Sequence, residues 1–280
     1  MLIAGLGYCG TAVAAAARAA GYRVLGTERA ASGRAGAVAF AELAALLGDA
    51  THLLITAAPE ETGDPVLARF GAEIAAAPRL RWIGYLSSTG VYGDHGGGLV
   101  DETTPATPAT PRTRRRRAAE EAWAGFSTTR AVDLCRIAGI YGPGRSVFDD
   151  LRAGRARRIV KPGQVFSRIH RDDIARAVLA AMARAAARGL RMFNLADDLP
   201  ASSAEVIAEA ARLLGLPPPP EIRFAEARAT MSPMALSFWA ENRRVDNART
   251  KAALGLEWLY PTYREGLAAI LREETSERRA

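Results

Sequence analysis

The sequence contains little cysteine, histidine and lysine, and it has no long run of apolar residues. Its 280 residues include two cysteines, Cys9 and Cys135, and three histidines. These are too few for a disulfide framework or a structural zinc cluster, which needs about four ligands, so no metal site is predicted. No stretch has the roughly 18 apolar residues of a membrane span. Because glycines at 5, 7 and 10 interrupt the apolar N-terminal stretch, a signal peptide is not predicted, and we expect a cytoplasmic protein.

Because lysine occurs only at positions 161 and 251, nearly all of the positive charge is arginine. Lysine and arginine total 37 against 30 acidic residues, which gives a formal net charge of +7. The densest basic run, residues 112–117, leads into an Ala/Glu-rich stretch typical of a helix. We therefore interpret it as a solvated helix start or an anionic small-molecule site, and we disfavour a nucleic-acid partner.

Short apolar runs alternate with helical stretches over the first two hundred residues. Nearly continuous apolar runs predict buried parallel strands at 2–4, 23–26, 52–56, 82–86 and 132–137. Ala- and Leu-rich stretches between them predict helices at 11–20, 41–47, 65–77 and 113–124. Strand and helix alternation of this kind predicts an α/β fold with a doubly wound parallel sheet.

A glycine-rich loop separates the first predicted strand from the first predicted helix. The pattern G-x-G-x-x-G in this context indicates a dinucleotide site of the Rossmann type. The first glycine permits a tight turn, the second lets backbone approach a pyrophosphate, and the third lets helix and strand pack closely. A glycine turn that holds no ligand is the alternative. The loop residues predicted to contact the cofactor are Gly5, Gly7, Tyr8, Cys9 and Gly10.

The residues after the second strand are expected to select between NAD and NADP. An acid there binds the ribose 2′-hydroxyl of NAD, whereas an arginine can meet the 2′-phosphate of NADP. The chain offers both in Glu28 and Arg29, with Thr27 at the counted position of the acid and Ser32 nearby. Because a guanidinium forks well onto phosphate oxygens, we favour NADP over NAD. A solvent-facing loop charge is the alternative for Arg29.

The pattern loosens after Gly139. A further helix at 172–188 and a strand at 192–195 indicate that the sheet resumes, and a mixed region follows Pro200. We predict an NAD(P)-binding Rossmann domain made of residues 1–139 and 165–198. A smaller mixed α/β cap lobe is predicted from residues 140–164 and 199–280.

Four further motifs follow one another along the chain: SSTGVYG at 87–93, RIAGIYGPG at 136–144, RIHRDDIA at 168–175 and NLA at 194–196. The first three resemble the S-S-x-x-V-Y-G, R-x-x-x-x-Y-G-P-G and F-I-H-V-D-D-x-A segments of the NAD-dependent epimerase/dehydratase-like group of extended short-chain dehydrogenases/reductases. Ala57 and Ala58 resemble the cofactor-side turn of that group. The resemblance implies a Rossmann domain with a cap, an NAD(P) cofactor, and oxidoreductase or epimerase chemistry at a hydroxyl or carbonyl carbon of a sugar nucleotide or similar small molecule.

The chain departs from that group at its catalytic motif, Y-x-x-x-K. No tyrosine of this sequence is followed four residues later by lysine. Alignment of the predicted fourth helix places Arg112 at the tyrosine position and Arg116 at the lysine position. A guanidinium stays charged, so Arg112 does not replace the tyrosine as a proton donor. Arg116 is a candidate cofactor contact or an exposed helix arginine, and a catalytically silent NADP(H)-binding sensor or scaffold is the alternative to an enzyme.

The remaining candidate residues also follow from the resemblance. Ser88 matches the Ser/Thr that holds the substrate oxygen, and Thr89 lies beside it. Tyr92 is a substitute proton donor, with packing in its turn as the alternative. Tyr141 and Arg145 are expected to face the substrate cleft. The predicted partners are a dinucleotide and a small-molecule ligand, and two copies are expected to pair through the predicted third and fourth helices, as in relatives.

Overall fold

The structure, a computed structural model, describes residues 1–30, 33–185 and 187–277. Its strands are β1 (Leu2–Ala4), β2 (Leu25–Glu28), β3 (Ala37–Ala39), β4 (His52–Ile55), β5 (Trp82–Ser88), β6 (Leu99–Val100), β7 (Ala131–Ile137), β8 (Gly139–Tyr141), β9 (Arg158–Val160), β10 (Arg168–His170), β11 (Gly189–Leu195), β12 (Glu221–Arg223) and β13 (Arg244–Val245). Its α-helices are α1 (Tyr8–Ala19), α2 (Leu43–Leu47), α3 (Pro65–Ala76), α4 (Pro111–Ala124), α5 (Val147–Arg152), α6 (Arg171–Ala183), α7 (Ser203–Leu213), α8 (Phe224–Ala227), α9 (Pro233–Trp239), α10 (Ala248–Leu254) and α11 (Tyr263–Glu277).

The predicted doubly wound sheet is confirmed. Seven strands lie in the order β11-β7-β5-β4-β1-β2-β3, and every neighbouring pair is parallel. The chain runs outward from β1 to β3 and then returns to β4 on the other side of β1. Ligands of such sheets bind beyond the carboxyl ends of the strands at this reversal point. The glycine loop follows β1 and therefore lies there.

Apolar clusters cover both faces of the sheet, which explains why its strands are almost continuously apolar in sequence. On one face, Val13 of α1 and Val178 of α6 pack against the strands. On the other face, Leu43 of α2, Phe70 of α3 and Trp123 of α4 do the same. All five side chains are 0–3% exposed. This two-sided packing holds the strand ends, and the loops that follow them, in fixed positions.

Several element boundaries differ from the sequence-based prediction. The second strand spans Leu25–Glu28 and not 23–26, and the edge strand β3 was not predicted. β3 has three half-buried residues, too few to show a period. The helix predicted at 172–188 ends at Ala183. These shifts move Glu28, and not the residue before it, to the end of β2.

A third apolar cluster, which includes Phe148, Val206, Tyr263 and Leu267, lies apart from the sheet and joins α5, α7 and α11. Three short parallel strand pairs, β10 with β8, β12 with β9 and β13 with β6, connect distant parts of the sequence. The domain boundaries and the homodimer stay predictions. Among the described helices, none combines the length and the hydropathy that crossing a membrane requires.

Candidate functional site

The glycine loop is closed on its inner side and open on its outer side. Gly5 has a φ of +112°, and a Cβ on Gly10 would lie 2.1 Å from the Gly5 carbonyl oxygen. Thr56, which follows β4, donates its hydroxyl to the same oxygen at 2.5 Å. A Cβ on Gly7 would meet no atom within 4 Å. The loop therefore presents bare backbone on the outside, as a bound pyrophosphate requires.

The start of α1 has the electrostatics of an anion site. The first amides of a helix have no intrahelical partner. In the described chain, no side chain caps the start of α1, and its first turn holds no acidic residue. The amides and the positive end of the helix dipole therefore remain available to a phosphate. The residues fit the dinucleotide predicted from the sequence.

An ion pair lies at the end of β2, beside the loop. Arg34 contacts the Glu28 carboxylate, and it also donates to the Leu6 carbonyl and the Thr11 hydroxyl, both at 3.2 Å. The predicted Arg29 is exposed at the same strand end. Thr27 is 0% exposed, so it faces the core and not a ribose. Ser32 lies outside the described residues, and Arg34 was not predicted.

Tyr8 connects the glycine loop to the turn after β8. Its hydroxyl donates to the Pro143 carbonyl at 2.9 Å, and its ring lies 5.6 Å below the Arg145 guanidinium. Arg145 and the buried Tyr141 line a cavity of about 610 Å³. Burial raises the pKa of the neighbouring Cys9 thiol. The Cys9 side chain is half-buried and packs against the apolar cluster that contains Val13 and Val178.

A second cavity of about 360 Å³, which we call the β5 cavity, begins at the carboxyl end of β5. Ser88 and Thr89 line it. The Ser88 hydroxyl oxygen accepts the Gly90 amide at 3.1 Å, which leaves its own proton to donate to a ligand. Thr89 is 6% exposed, and its hydroxyl lies 3.5 Å from the Ile137 carbonyl. The structure therefore brings the two predicted residues to one cavity wall.

The two arginines at the positions of the missing catalytic motif have different surroundings. Arg112 lies at the mouth of the β5 cavity, with its guanidinium 4.9 Å from the ring centre of Phe238. Arg116 points at the sheet, where it donates to the Tyr85 hydroxyl at 2.9 Å and to the Leu86 carbonyl at 3.0 Å. Arg112 is therefore available to a ligand, whereas the Arg116 guanidinium is hydrogen-bonded to β5.

Tyr92 is held away from the β5 cavity. Its side chain is 0% exposed, and its hydroxyl donates to Asn194 at 2.7 Å. This placement favours packing over proton donation. The other predicted contacts, Ala57 and Ala58, follow β4, and the Ala57 amide donates to the Ala4 carbonyl at 3.2 Å. They border the glycine loop from the β4 side.

His170 has a structural position at the start of α6. It caps α6 by accepting the Asp172 amide at 3.2 Å, and it packs against the rings of Tyr141 and Tyr260. Burial lowers the pKa of His170 to about 4. In the described residues, no group of three or more His, Cys, Asp or Glu side chains could hold a metal ion.

Further polar side chains of the β5 cavity come from distant parts of the chain. Arg168 of β10 donates through Nη1 to the carbonyls of Phe166 and Ala201, both at 2.8 Å. Arg243 donates to Glu241 at 2.7 Å, and the Glu241 side chain is 9% exposed with its other carboxylate oxygen buried. Arg168 was visible in the sequence as an arginine where the resembling segment has phenylalanine. No sequence pattern pointed to Glu241, and Arg243 was not among the predicted site residues.

Two opposing effects act on the pKa of the Asp197 carboxyl group. Burial raises this pKa, the nearby Arg168 charge lowers it, and burial has the larger effect. Burial raises the pKa of Asp197 to about 8, although the Leu199 amide and Arg168 act in the opposite direction. Its Oδ2 atom is buried without a hydrogen-bond partner in the described chain. At neutral pH most Asp197 side chains are therefore protonated and do not offset the charge of Arg168, which interacts with the Glu205 carboxylate as well.

Replacing Asp197 by asparagine is expected to flatten the pH dependence of stability. The unfolded chain releases this proton near pH 4 and the native chain near pH 8, so the free energy of unfolding falls as the pH rises between these values. Between pH 4.5 and 8.5, the free energy of unfolding measured by denaturant titration should decrease by about 1–3 kcal/mol less in the variant than in the unmodified chain. Asp198→Asn, which alters the neighbouring carboxylate bonded to Lys251, is the control. An Asp197→Asn curve parallel to that of the unmodified chain would contradict the assignment.

Comparisons with known proteins agree with this geometry. No model of a protein family matches the sequence. Protein YeeZ of Escherichia coli K12 is 28% identical over 187 residues, which make up 67% of this chain. The match spans about 61% of the length of this curated relative.

Among solved structures, a conserved protein of unknown function from Silicibacter pomeroyi DSS is 46% identical, with 98% of each chain covered and a TM-score of 0.89. The human epimerase family protein SDR39U1, solved with NADPH, is 20% identical over 96% of this chain and 98% of its own, with a TM-score of 0.80. MoeE5, solved with UDP-glucuronic acid and NAD, is 20% identical over 98% of this chain and 99% of its own, with a TM-score of 0.72. The chain therefore belongs to the same family as the S. pomeroyi protein, and its fold is that of the NAD-dependent epimerase/dehydratase-like short-chain dehydrogenases/reductases.

Proposed function

We propose that the chain is an NADP(H)-dependent enzyme, an oxidoreductase or epimerase that acts on a hydroxyl or carbonyl carbon of a small molecule. The observation that carries the proposal is the position of the β5 cavity. It begins at Ser88 and Thr89, at the same edge of the sheet as the open glycine loop. A cofactor on the loop and a ligand in this cavity would be neighbours, as hydride exchange between them requires.

The cofactor is proposed to lie with its pyrophosphate over Gly7 and the start of α1, and it would supply or accept the hydride. Arg34 and Arg29 would meet a 2′-phosphate at the end of β2. The Glu28 carboxylate would bind a ribose hydroxyl in its place, so NAD is the alternative cofactor. The neighbours solved with NADPH and with NAD support both.

Ser88 would donate its hydroxyl proton to the ligand oxygen as a hydrogen bond. Hydride addition to a carbonyl would leave an alkoxide, which would take its proton from solvent water at the open side of the cavity; in the reverse direction that proton would return to water. The Arg112 guanidinium stays charged through the reaction, so it would orient the ligand and not act as the proton donor that the tyrosine of the resembling group is.

A catalytically silent NADP(H)-dependent sensor or scaffold is the second candidate, because Arg112 occupies the position of the catalytic tyrosine. A screen of carbonyl and hydroxyl substrates with NADPH and NADP separates the two candidates. Cofactor turnover would support the enzyme. Absence of turnover, together with protein partners that change when NADP(H) is added, would support the sensor.

Arg34→Ala is expected to weaken NADPH binding about tenfold or more, since it removes a charge-assisted bond to the 2′-phosphate. It also removes a positive charge that offsets the Glu28 carboxylate beside that phosphate, whereas NADH carries no 2′-phosphate, so the affinity for NADH should stay level. Calorimetric titration of both cofactors measures the change. The same titration of Arg29→Ala shows how much of the NADPH affinity each of the two arginines contributes. Arg79→Ala, which removes an exposed arginine paired with Asp49, is the matched control. Equal losses for NADPH and NADH would refute the 2′-phosphate assignment.

A further inference from the structure

The β5 cavity carries more positive charge than its own acids balance. Three arginines line it, Arg112, Arg168 and Arg243, and Glu241 is its one acidic lining residue among those described. Glu241 is already bound to Arg243. Within the described chain, Arg112 makes no hydrogen bond or ion pair, and Arg168 donates only to two backbone carbonyls. Two guanidinium groups are thus free to bind an anion, and a planar carboxylate matches their fork geometry.

Aromatic side chains line the cavity next to these arginines. The Trp239 ring is fixed edge-on to Phe166, with ring centres 5.2 Å apart, and it stacks on Phe224 at the same distance. Phe238 lines the cavity where it opens to solvent, and this large apolar side chain is 50% exposed. The Arg112 guanidinium lies against the Phe238 ring, and the exposed half of that ring, beside the fixed Trp239, offers a surface on which a ligand ring can pack.

The cavity offers few hydroxyl groups to a sugar: Ser88, Thr89, Ser167 and Ser203. Ser88 and Ser167 each already accept a backbone amide at 3.1 Å, from Gly90 and from Val245, and Ser88 keeps one proton to donate. A sugar ring requires several hydrogen-bond partners for its hydroxyls, because burying a polar group unpaired is costly. A volume of about 360 Å³ is at the small end of ligand pockets. One or two rings with a single anionic group fit these walls better.

We infer that the β5 cavity binds a small aromatic carboxylate, with its carboxylate on Arg112 and Arg168 and its ring against Phe238 and Trp239. This inference rests on the proposed function, because it names the substrate class of the same site. The carbon to be reduced or oxidised would lie at the Ser88 end of the cavity. A sugar nucleotide, which could extend past Arg168 into the adjoining cavity of Arg145, is the competing ligand.

The test is a calorimetric titration of the full chain saturated with NADP, using three matched probes. trans-Cinnamate has both the ring and the charge, cinnamamide lacks the charge, and 3-cyclohexylpropanoate lacks the aromatic ring. Cinnamamide is expected to bind about tenfold or more weakly than cinnamate, from the lost charge-assisted bonds. 3-Cyclohexylpropanoate is expected to bind about threefold to tenfold more weakly, from the lost stacking.

Two variants assign the contacts. Arg112→Gln should weaken cinnamate about tenfold and leave cinnamamide unchanged, since only the first carries a charge. Phe238→Ala should weaken cinnamate more than 3-cyclohexylpropanoate. Both positions are at the cavity mouth and outside the buried core, so the variants should fold. Arg114→Gln, an exposed arginine on the same helix and outside the cavity lining, is the control.

The outcomes separate this inference from the proposed function. Equal affinities for cinnamate and cinnamamide would overturn it, as would binding of UDP-glucose but not cinnamate; in both cases NADPH binding would leave the proposed function standing. Failure of NADPH and NADH to bind the unmodified chain would instead remove the proposed function.

Discussion

Gly7→Ala is expected to abolish dinucleotide binding without changing the stability of the protein. Gly7 has ordinary extended backbone, and a Cβ there would meet no protein atom within 4 Å, so the folded chain accommodates the methyl group. The methyl would occupy the space through which a pyrophosphate reaches the start of α1. We expect the affinity for NADPH to fall by about a hundredfold or more, because contacts with several amides are lost together.

Gly10→Ala, in the same loop, is expected to lower the stability of the protein, unlike Gly7→Ala. Its Cβ would lie 2.1 Å from the Gly5 carbonyl oxygen, a backbone atom that cannot move without the loop. α1 would have to shift away from β1, and we expect the free energy of unfolding to fall by about 1–3 kcal/mol. Dinucleotide affinity should fall as well, since the helix start moves.

The pair is measured by denaturant titration of the chain without cofactor and by calorimetric titration with NADPH. The expected result is full stability with lost binding for Gly7→Ala, and reduced stability for Gly10→Ala. Retained NADPH binding in Gly7→Ala would show that the open side of the loop is not the pyrophosphate site. A destabilised Gly7→Ala variant would show that the loop is packed where the structure leaves it open.

The glycine loop could be predicted from the sequence because all the residues that define it lie in one short segment. A strand, three spaced glycines and a helix lie within twenty residues, and the physical role of each glycine depends on its neighbours in the chain. Arg34 and Thr56 act on the same loop from outside this segment. Neither shows a pattern of its own, because a single loop arginine or strand-end threonine looks the same with or without such a contact.

The β5 cavity was predictable only in part for a similar reason. Ser88 and Thr89 were found because they lie in a motif at the end of a strand. Glu241 and Phe238 come from a segment about 150 residues later in the chain, with short helices that show little periodicity. Their placement follows from contacts between distant parts of the chain, such as the bonds that Lys161 donates to the Trp239 carbonyl and Gln164 to the Glu241 carbonyl, and the two-residue pairing of β13 with β6.

A buried ion pair behind the β5 cavity carries the largest stability effect that we expect. Arg136 of β7 donates to both oxygens of Glu120 on α4, at 3.0 and 2.8 Å, and the two side chains are 2% and 0% exposed. Ser87 of β5 donates to the same carboxylate at 2.6 Å. The Arg136 guanidinium also lies 4.7 Å from the ring centre of Tyr92. The pair therefore joins α4, β5 and β7 directly behind Ser88.

Arg136→Leu is expected to lower the free energy of unfolding by about 3–5 kcal/mol, because it leaves the Glu120 carboxylate buried without its main partner. The double variant Arg136→Leu with Glu120→Leu should recover at least half of this loss, since no uncompensated charge remains. Arg117 contacts the same carboxylate at 3.2 Å but is 34% exposed, so Arg117→Leu is the matched control, with an expected loss below about 1 kcal/mol.

Denaturant titration of the unmodified chain, Arg136→Leu, Glu120→Leu and the double variant closes the mutant cycle, and Arg117→Leu is measured beside them. A single variant Arg136→Leu within about 1 kcal/mol of the unmodified chain would mean that Glu120 takes up a proton or reaches water when its partner is removed. A double variant no more stable than the single one would mean that the arginine acts through packing against Tyr92 and not through its charge. Recovery in the double variant, by contrast, would show that the loss in Arg136→Leu comes from the uncompensated Glu120 charge, next to the Ser87–Arg136 pair of β5 and β7.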